Sequence, residues 1–117
     1  MDLTIHEEQG ITVIEIVGEI DISCSEALLQ TCDQLLETGC RRFILDLNHV
    51  EFVDSAGLSV LVRCFKHVQS QAGRLFFAAL RPPVQRVIEL TRLDQAFEIR
   101  AHVEEAVQDM THRPKPS

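Results

Sequence analysis

The sequence predicts an α/β domain built on a mixed, mostly parallel sheet of about five strands that opens with a β-hairpin and carries about four helices. Three observations lead there. Two strand-like runs at the start are joined by only a few residues, a connection that suits an antiparallel pair. Each later strand-like run is separated from the next by an amphipathic helical pattern, the mark of strands joined through crossovers. The later runs are also short and almost wholly apolar, as strands covered on both faces must be.

Leu3-Thr4-Ile5-His6 alternates apolar and polar, and residues 11–17 are apolar and β-branched up to Gly18, so two strands are expected with a turn at Glu8-Gln9-Gly10. In Ser23-Cys24-Ser25-Glu26 a hydroxyl stands three residues ahead of a carboxylate, a pattern able to cap a helix start reciprocally. Leu28, Leu29, Cys32, Leu35 and Leu36 then recur at helical spacing, and Gly39 supplies a terminator, which places the first helix over residues 25–38. Phe43-Ile44-Leu45-Asp46-Leu47 reads as a central strand, and residues 48–54 as a loop.

From Ser55 onward, Leu58, Leu61, Val62 and Phe65 form one apolar stripe, so a second helix begins there and ends near Gln71-Ala72-Gly73. Leu75-Phe76-Phe77-Ala78-Ala79 is a further buried strand, and Arg81-Pro82-Pro83 punctuates before a short helix with Val84, Val87, Ile88 and Leu90. Phe97-Glu98-Ile99 makes a brief last strand, and Val103, Ala106, Val107 and Met110 mark a final helix. One domain over residues 1–110 follows, with a disordered tail expected over 111–117, since 112–117 holds two prolines and no apolar residue.

The chain has 117 residues, enough for one core without metals or disulfides. Its 45% hydrophobic and 25% charged residues are the balance of a globular domain. A formal net charge of -7, with scattered basic residues and only Arg41-Arg42 adjacent, disfavours direct binding of nucleic acid or of anionic lipid. No run approaches the roughly 18 to 20 apolar residues of a membrane span, and the start lacks the pattern of an export signal, so a cytoplasmic protein without membrane insertion is expected. Cys24, Cys32, Cys40 and Cys64 have no zinc-like spacing and read as small, partly buried hydrophobes.

The stretch Phe52-Val53-Asp54-Ser55-Ala56-Gly57-Leu58 puts a carboxylate, a hydroxyl and two small residues where a loop becomes a helix. Asp54 suits the N-cap, where its charge meets the positive end of the helix dipole, and Ser55 then lies exposed in the first turn. Gly57 lowers helix propensity by about 1 kcal/mol relative to alanine. By spacing alone the segment is a cap with a packing glycine; alternatively, Ala56 and Gly57 leave the hydroxyl open to the cleft of another protein.

Placed after a buried strand and a loop, Val53-Asp54-Ser55-Ala56-Gly57-Leu58 resembles the signature of STAS-domain anti-sigma-factor antagonists, also called anti-anti-sigma factors. The resemblance runs over residues 3–110 and includes the opening hairpin and Gly18-Glu19-Ile20-Asp21. It implies a STAS fold, a phosphorylation target at Ser55, and a partner-binding surface of Asp21, Ile22, Asp54, Ala56, Gly57 and Leu58. It further implies partner switching: the unphosphorylated chain binds an anti-sigma factor with a GHKL-type serine kinase fold, is released once Ser55 is phosphorylated, and is restored by a PPM-type serine phosphatase. ATP and magnesium would belong to those partners, leaving this chain with no cofactor of its own.

Many relatives carry a second hydroxyl after the target serine and another glycine after the leucine, where this chain has Ala56 and Ser59. Ser59, one helical turn on, ranks behind Ser55 as an acceptor. A small serine hydrolase using Ser55, His49 and Asp46 is disfavoured because a nucleophile elbow wants glycine where Val53 stands. A receiver domain would open with a strand, an acidic pair and a helix. No phosphate-loop or dinucleotide motif is present, and His6, His49, His67, His102 and His112 form no metal motif, so no catalytic residue, metal or enzymatic activity is expected. A STAS subunit of a membrane transporter complex stands as the non-enzymatic alternative.

Overall fold

The protein is described by a computed structural model covering residues 1–111. The elements run β1 (Asp2–Glu8), β2 (Ile11–Val17), α1 (Ser25–Glu37), β3 (Arg42–His49), α2 (Ser55–Ser70), β4 (Arg74–Ala78), α3 (Pro82–Leu90), the 3-10 turn η1 (Leu93–Gln95), β5 (Glu98–Arg100) and α4 (Val103–Thr111). The strands form one sheet in the order β1-β2-β3-β4-β5. Only β1 and β2 are antiparallel; the other neighbouring pairs are parallel. The expected mixed sheet and its opening hairpin are thus present.

The hairpin turn is tighter than expected. Glu8 pairs with Ile11 inside the ladder, so the loop is Gln9-Gly10 alone, with φ of 52° and 79°. Two successive positive φ values match the twist of the flanking strands, which is why a short polar residue and a glycine occupy them. As an edge strand, β1 buries little; β2 and β3, paired on both sides, are buried over most of their length.

Strand alternation divides the core in two. Phe43, Leu45, Leu47, Leu75 and Phe77 face α1, α2 and α3, while Ile44, Phe76 and Ala78 face Ala106, Val107 and Met110 of α4. Three helices on one face therefore leave α4 to cover the other. Phe77 stacks on Phe97 at 4.2 Å between ring centroids, and Phe65 of α2 lies 5.1 Å from Phe97. That cluster fastens the last strand to the sheet.

The start of α1 departs from the sequence reading. Its N-cap is Cys24, with no side-chain capping bond, so the Ser23/Glu26 capping pair does not form. Ser23 instead turns back to Asp21, whose Oδ1 accepts from both its amide (2.9 Å) and its hydroxyl (2.5 Å). The helix starts one residue later than that pair requires, and both Ser23 donors lie within reach of the Asp21 carboxylate two residues back, closing a short Asx turn. Two smaller differences follow α3: η1, entered through a left-handed Arg92 (φ 61°), is not among the expected elements, and Phe97, expected as the first residue of the last strand, precedes β5. Thr111, placed in the tail by sequence, closes α4 with its hydroxyl donating to the Val107 carbonyl at 2.9 Å. Residues 112–117 lie outside the described residues.

Candidate functional site

The site forms where two loops at the carboxyl ends of β2 and β3 are stitched together. Past a register shift between Glu15 and Val17, the Gly18 amide donates to the His49 carbonyl (3.2 Å). The Ile20 amide then donates to the Phe52 carbonyl (3.1 Å), and the Asp54 amide to the Ile20 carbonyl (3.3 Å). These last two bonds make a one-residue parallel bridge between Ile20 and Val53. Both side chains turn into the core, which fixes the loops to each other by packing as well as by hydrogen bonds.

Helix α2 starts from this bridge. Asp54 is extended at its N-cap (φ -88°, ψ -176°), its Oδ1 accepts the Gly57 amide at 2.8 Å, and its carbonyl accepts the Leu58 amide at 2.8 Å. The cap satisfies one of the amides that a helix start leaves without an internal partner. Ser55 is the first helical residue and is exposed, as is Ser59 one turn later; Ala56 and Leu58 are half-buried.

Gly57 is buried, and its place in the site needs correction. A β-carbon built on it would overlap the Ile20 carbonyl oxygen. The glycine therefore admits the chain's own β2–α1 loop, and open access for another protein is not the reason for it. Its contribution to any docking surface is indirect, through the loop it allows to sit there.

The stitching brings Asp21 and Ile22 to the same end of the molecule as Asp54, Ser55, Ala56 and Leu58. Ile22 is 76% exposed, although apolar. The Ser23 hydroxyl, and after it the Ser23 amide, hold the Asp21 carboxyl below the usual carboxylate range. Cys24, which sequence reasoning took as filler, ties this loop down: the Asp21 amide donates to its Sγ at 3.2 Å, and Sγ lies 3.3 Å from the Glu19 and Asp21 carbonyls. Its position just ahead of a helix was the available signal.

Phe52 was also missed and is 50% exposed. Nothing local separates it from its apolar neighbours Val50 and Val53, which are buried. Among the described residues, no histidine is hydrogen-bonded to the Ser55 hydroxyl, and no group of three or more metal-ligating side chains is assembled. No helix of the described residues is long and apolar enough to cross a membrane.

A mixed sheet entered through a hairpin, with helices on both faces and an exposed serine at the start of the helix after the third strand, defines a small α/β domain of one architecture. Residues 2–106 match the model of the STAS domain, and the chain belongs to that family. The anti-sigma-B factor antagonist of Bacillus subtilis is 31% identical over 108 residues, which cover 92% of this chain and 98% of that protein. The crystal structure of an anti-sigma factor antagonist from Mycobacterium paratuberculosis superposes with a TM-score of 0.85 at 25% identity, covering 95% of this chain and 94% of the other. Similarity of fold extends to the anti-sigma factor antagonist SpoIIAA in its unphosphorylated form, with a TM-score of 0.73 at 18% identity over 96% of this chain and all of that one. The phosphorylated form from Bacillus gives the same score at 20% identity over 93% and 99%.

Proposed function

We propose that this protein is an anti-sigma-factor antagonist that works as a phosphorylation-controlled docking module, acting by binding and not by catalysis, in the cytoplasm. Unphosphorylated, it engages an anti-sigma factor through the face formed by Asp21, Ile22, Asp54, Ala56 and Leu58, with Gly57 beneath it. An anti-sigma factor of GHKL-type kinase fold modifies Ser55 and is thereby released, and a PPM-type phosphatase resets the cycle.

One observation carries this reading: Ser55 is exposed at the first position of α2, on a loop-to-helix junction fastened by the Ile20–Val53 bridge on one side and the Asp54 cap on the other. A phosphate there adds about 1.5 to 2 negative charges beside Asp54 and on the side of the molecule that holds Asp21 and Glu19. Like-charge repulsion and desolvation then oppose docking. The helix start tolerates the group, because the Ser55 and Ala56 amides precede any intrahelical bond while the Gly57 amide is already held by Asp54. Release therefore requires no refolding of this domain.

Intact-mass measurement after incubation with the host's cell extract and ATP tests the assignment. Wild type is expected to gain one phosphate and Ser55→Ala none. Equal gain in both would move the site elsewhere, Ser59 being the first position to examine.

A further inference from the structure

We propose that Phe52 is the apolar anchor of the docking face, and that the anti-sigma factor receives it in an apolar socket with a basic side chain on its rim. The proposal rests on the reading above and states what the partner must offer. Ile20 and Val53 of the bridge both point into the core, at 0% and 5% exposure. Glu19 and Phe52, the residues just before them, are exposed, and Asp54, extended after Val53, is half-buried at the helix cap. Phe52 thus emerges at the bridge that joins the Glu19 loop to the loop carrying Asp54 and Ser55.

Its exposure is specific to that position. Val50 and Val53, the nearest apolar residues in sequence, are buried, while the Phe52 carbonyl is held by the Ile20 amide and its side chain stays half exposed. An aromatic ring held half in water on a rigid loop has the character of an interface anchor, because docking buries it at little cost in conformational entropy.

The charge around it defines the rim. A recess of about 330 Å³ opens one residue before Phe52 in sequence, at Glu51, and is lined by Glu19, Glu51, His49 and Arg81 among others. Arg81 is already held by Glu51 at 3.2 Å, and Glu19 has no cationic partner among the described residues. With a net charge of -7 on the whole chain, the recess favours an arginine or lysine from the partner. An apolar socket next to that basic group is the complement of this surface.

The test uses purified anti-sigma factors of the host and selects one whose sigma-factor complex the wild-type chain dissolves. Phe52→Ala is expected to weaken binding roughly 10- to 100-fold, mostly through faster dissociation, with Phe52→Leu recovering most of the loss. Phe52→Leu and Phe52→Gln, similar in bulk but different in polarity, keep the comparison valid if the alanine variant is less stable. Glu19→Gln is expected to flatten the salt dependence of the association rate. Binding by Phe52→Ala and Phe52→Gln within twofold of wild type overturns the anchor while leaving the switch intact. A wild-type chain that engages none of these anti-sigma factors overturns the underlying reading, and the anchor with it.

Discussion

The α-carbon of Gly57 sits against the carbonyl oxygen of Ile20 with no room for a β-carbon between them. The same carbonyl accepts the Asp54 amide, so one backbone oxygen sets both the position of the β2–α1 loop and the entry angle of α2. Adding a methyl group at position 57 forces the two apart. Overpacking of this kind costs about 1–3 kcal/mol, against roughly 1 kcal/mol recovered from helix propensity. Gly57→Ala is accordingly expected to lower the thermal midpoint by several degrees, a result calorimetry can check; an unchanged or raised midpoint would contradict the close contact.

Asp54 is expected to matter as a hydrogen-bond acceptor more than as a charge. Asp54→Ala removes the bond from the Gly57 amide and should cost about 1 kcal/mol, whereas Asp54→Asn keeps an acceptor of similar capping strength. Chemical denaturation of the two variants separates these contributions. Equal losses would mean that the cap is not the source of the effect.

Asp21 gives the loop a pH dependence of definite sign. Its carboxyl is held below the usual range, first by the Ser23 hydroxyl and then by the Ser23 amide, so those bonds favour the ionised form. Their contribution is complete above the ordinary carboxylate pKa and disappears as pH falls through the lowered folded value. A carboxyl-carbon NMR titration should find Asp21 titrating below a normal aspartate and moving back up in Ser23→Ala. A normal value in wild type would remove the Asx turn from the solution structure.

The cysteines should separate by burial when the native protein is alkylated. Cys24, Cys32 and Cys64 are buried and Cys40 is half-buried. The neighbouring Cys32 thiol and burial both push the Cys64 thiol upward, away from the reactive thiolate. Cys40 is expected to react first, and Cys64 only as the protein unfolds. Time-resolved mass spectrometry reads the order directly, and early labelling of Cys64 would contradict it.

Much of the fold was legible because its signals are local. Apolar periodicity located α2 from Ser55 and placed the ends of most elements within a residue or two, and the short connection after β1 required an antiparallel pair. The cap at Asp54 and the exposure of Ser55 followed from the residue types alone. Ser23 and Glu26 misled for an equally local reason: the helix starts one residue later than their spacing requires, with Cys24 at the N-cap, and the Ser23 hydroxyl donates to Asp21.

What the chain decided by itself was therefore the order of its strands and helices and the chemistry at the mouth of α2, since both depend on residues a few positions apart. Only the tertiary structure decided that Gly57 faces Ile20, that Cys24 ties down the loop, and that Phe97 is stacked in the core while Phe52 stays half in water. Exposure and close contact depend on what lies across the gap, and for Gly57 and Ile20 the facing group is 37 residues away along the chain.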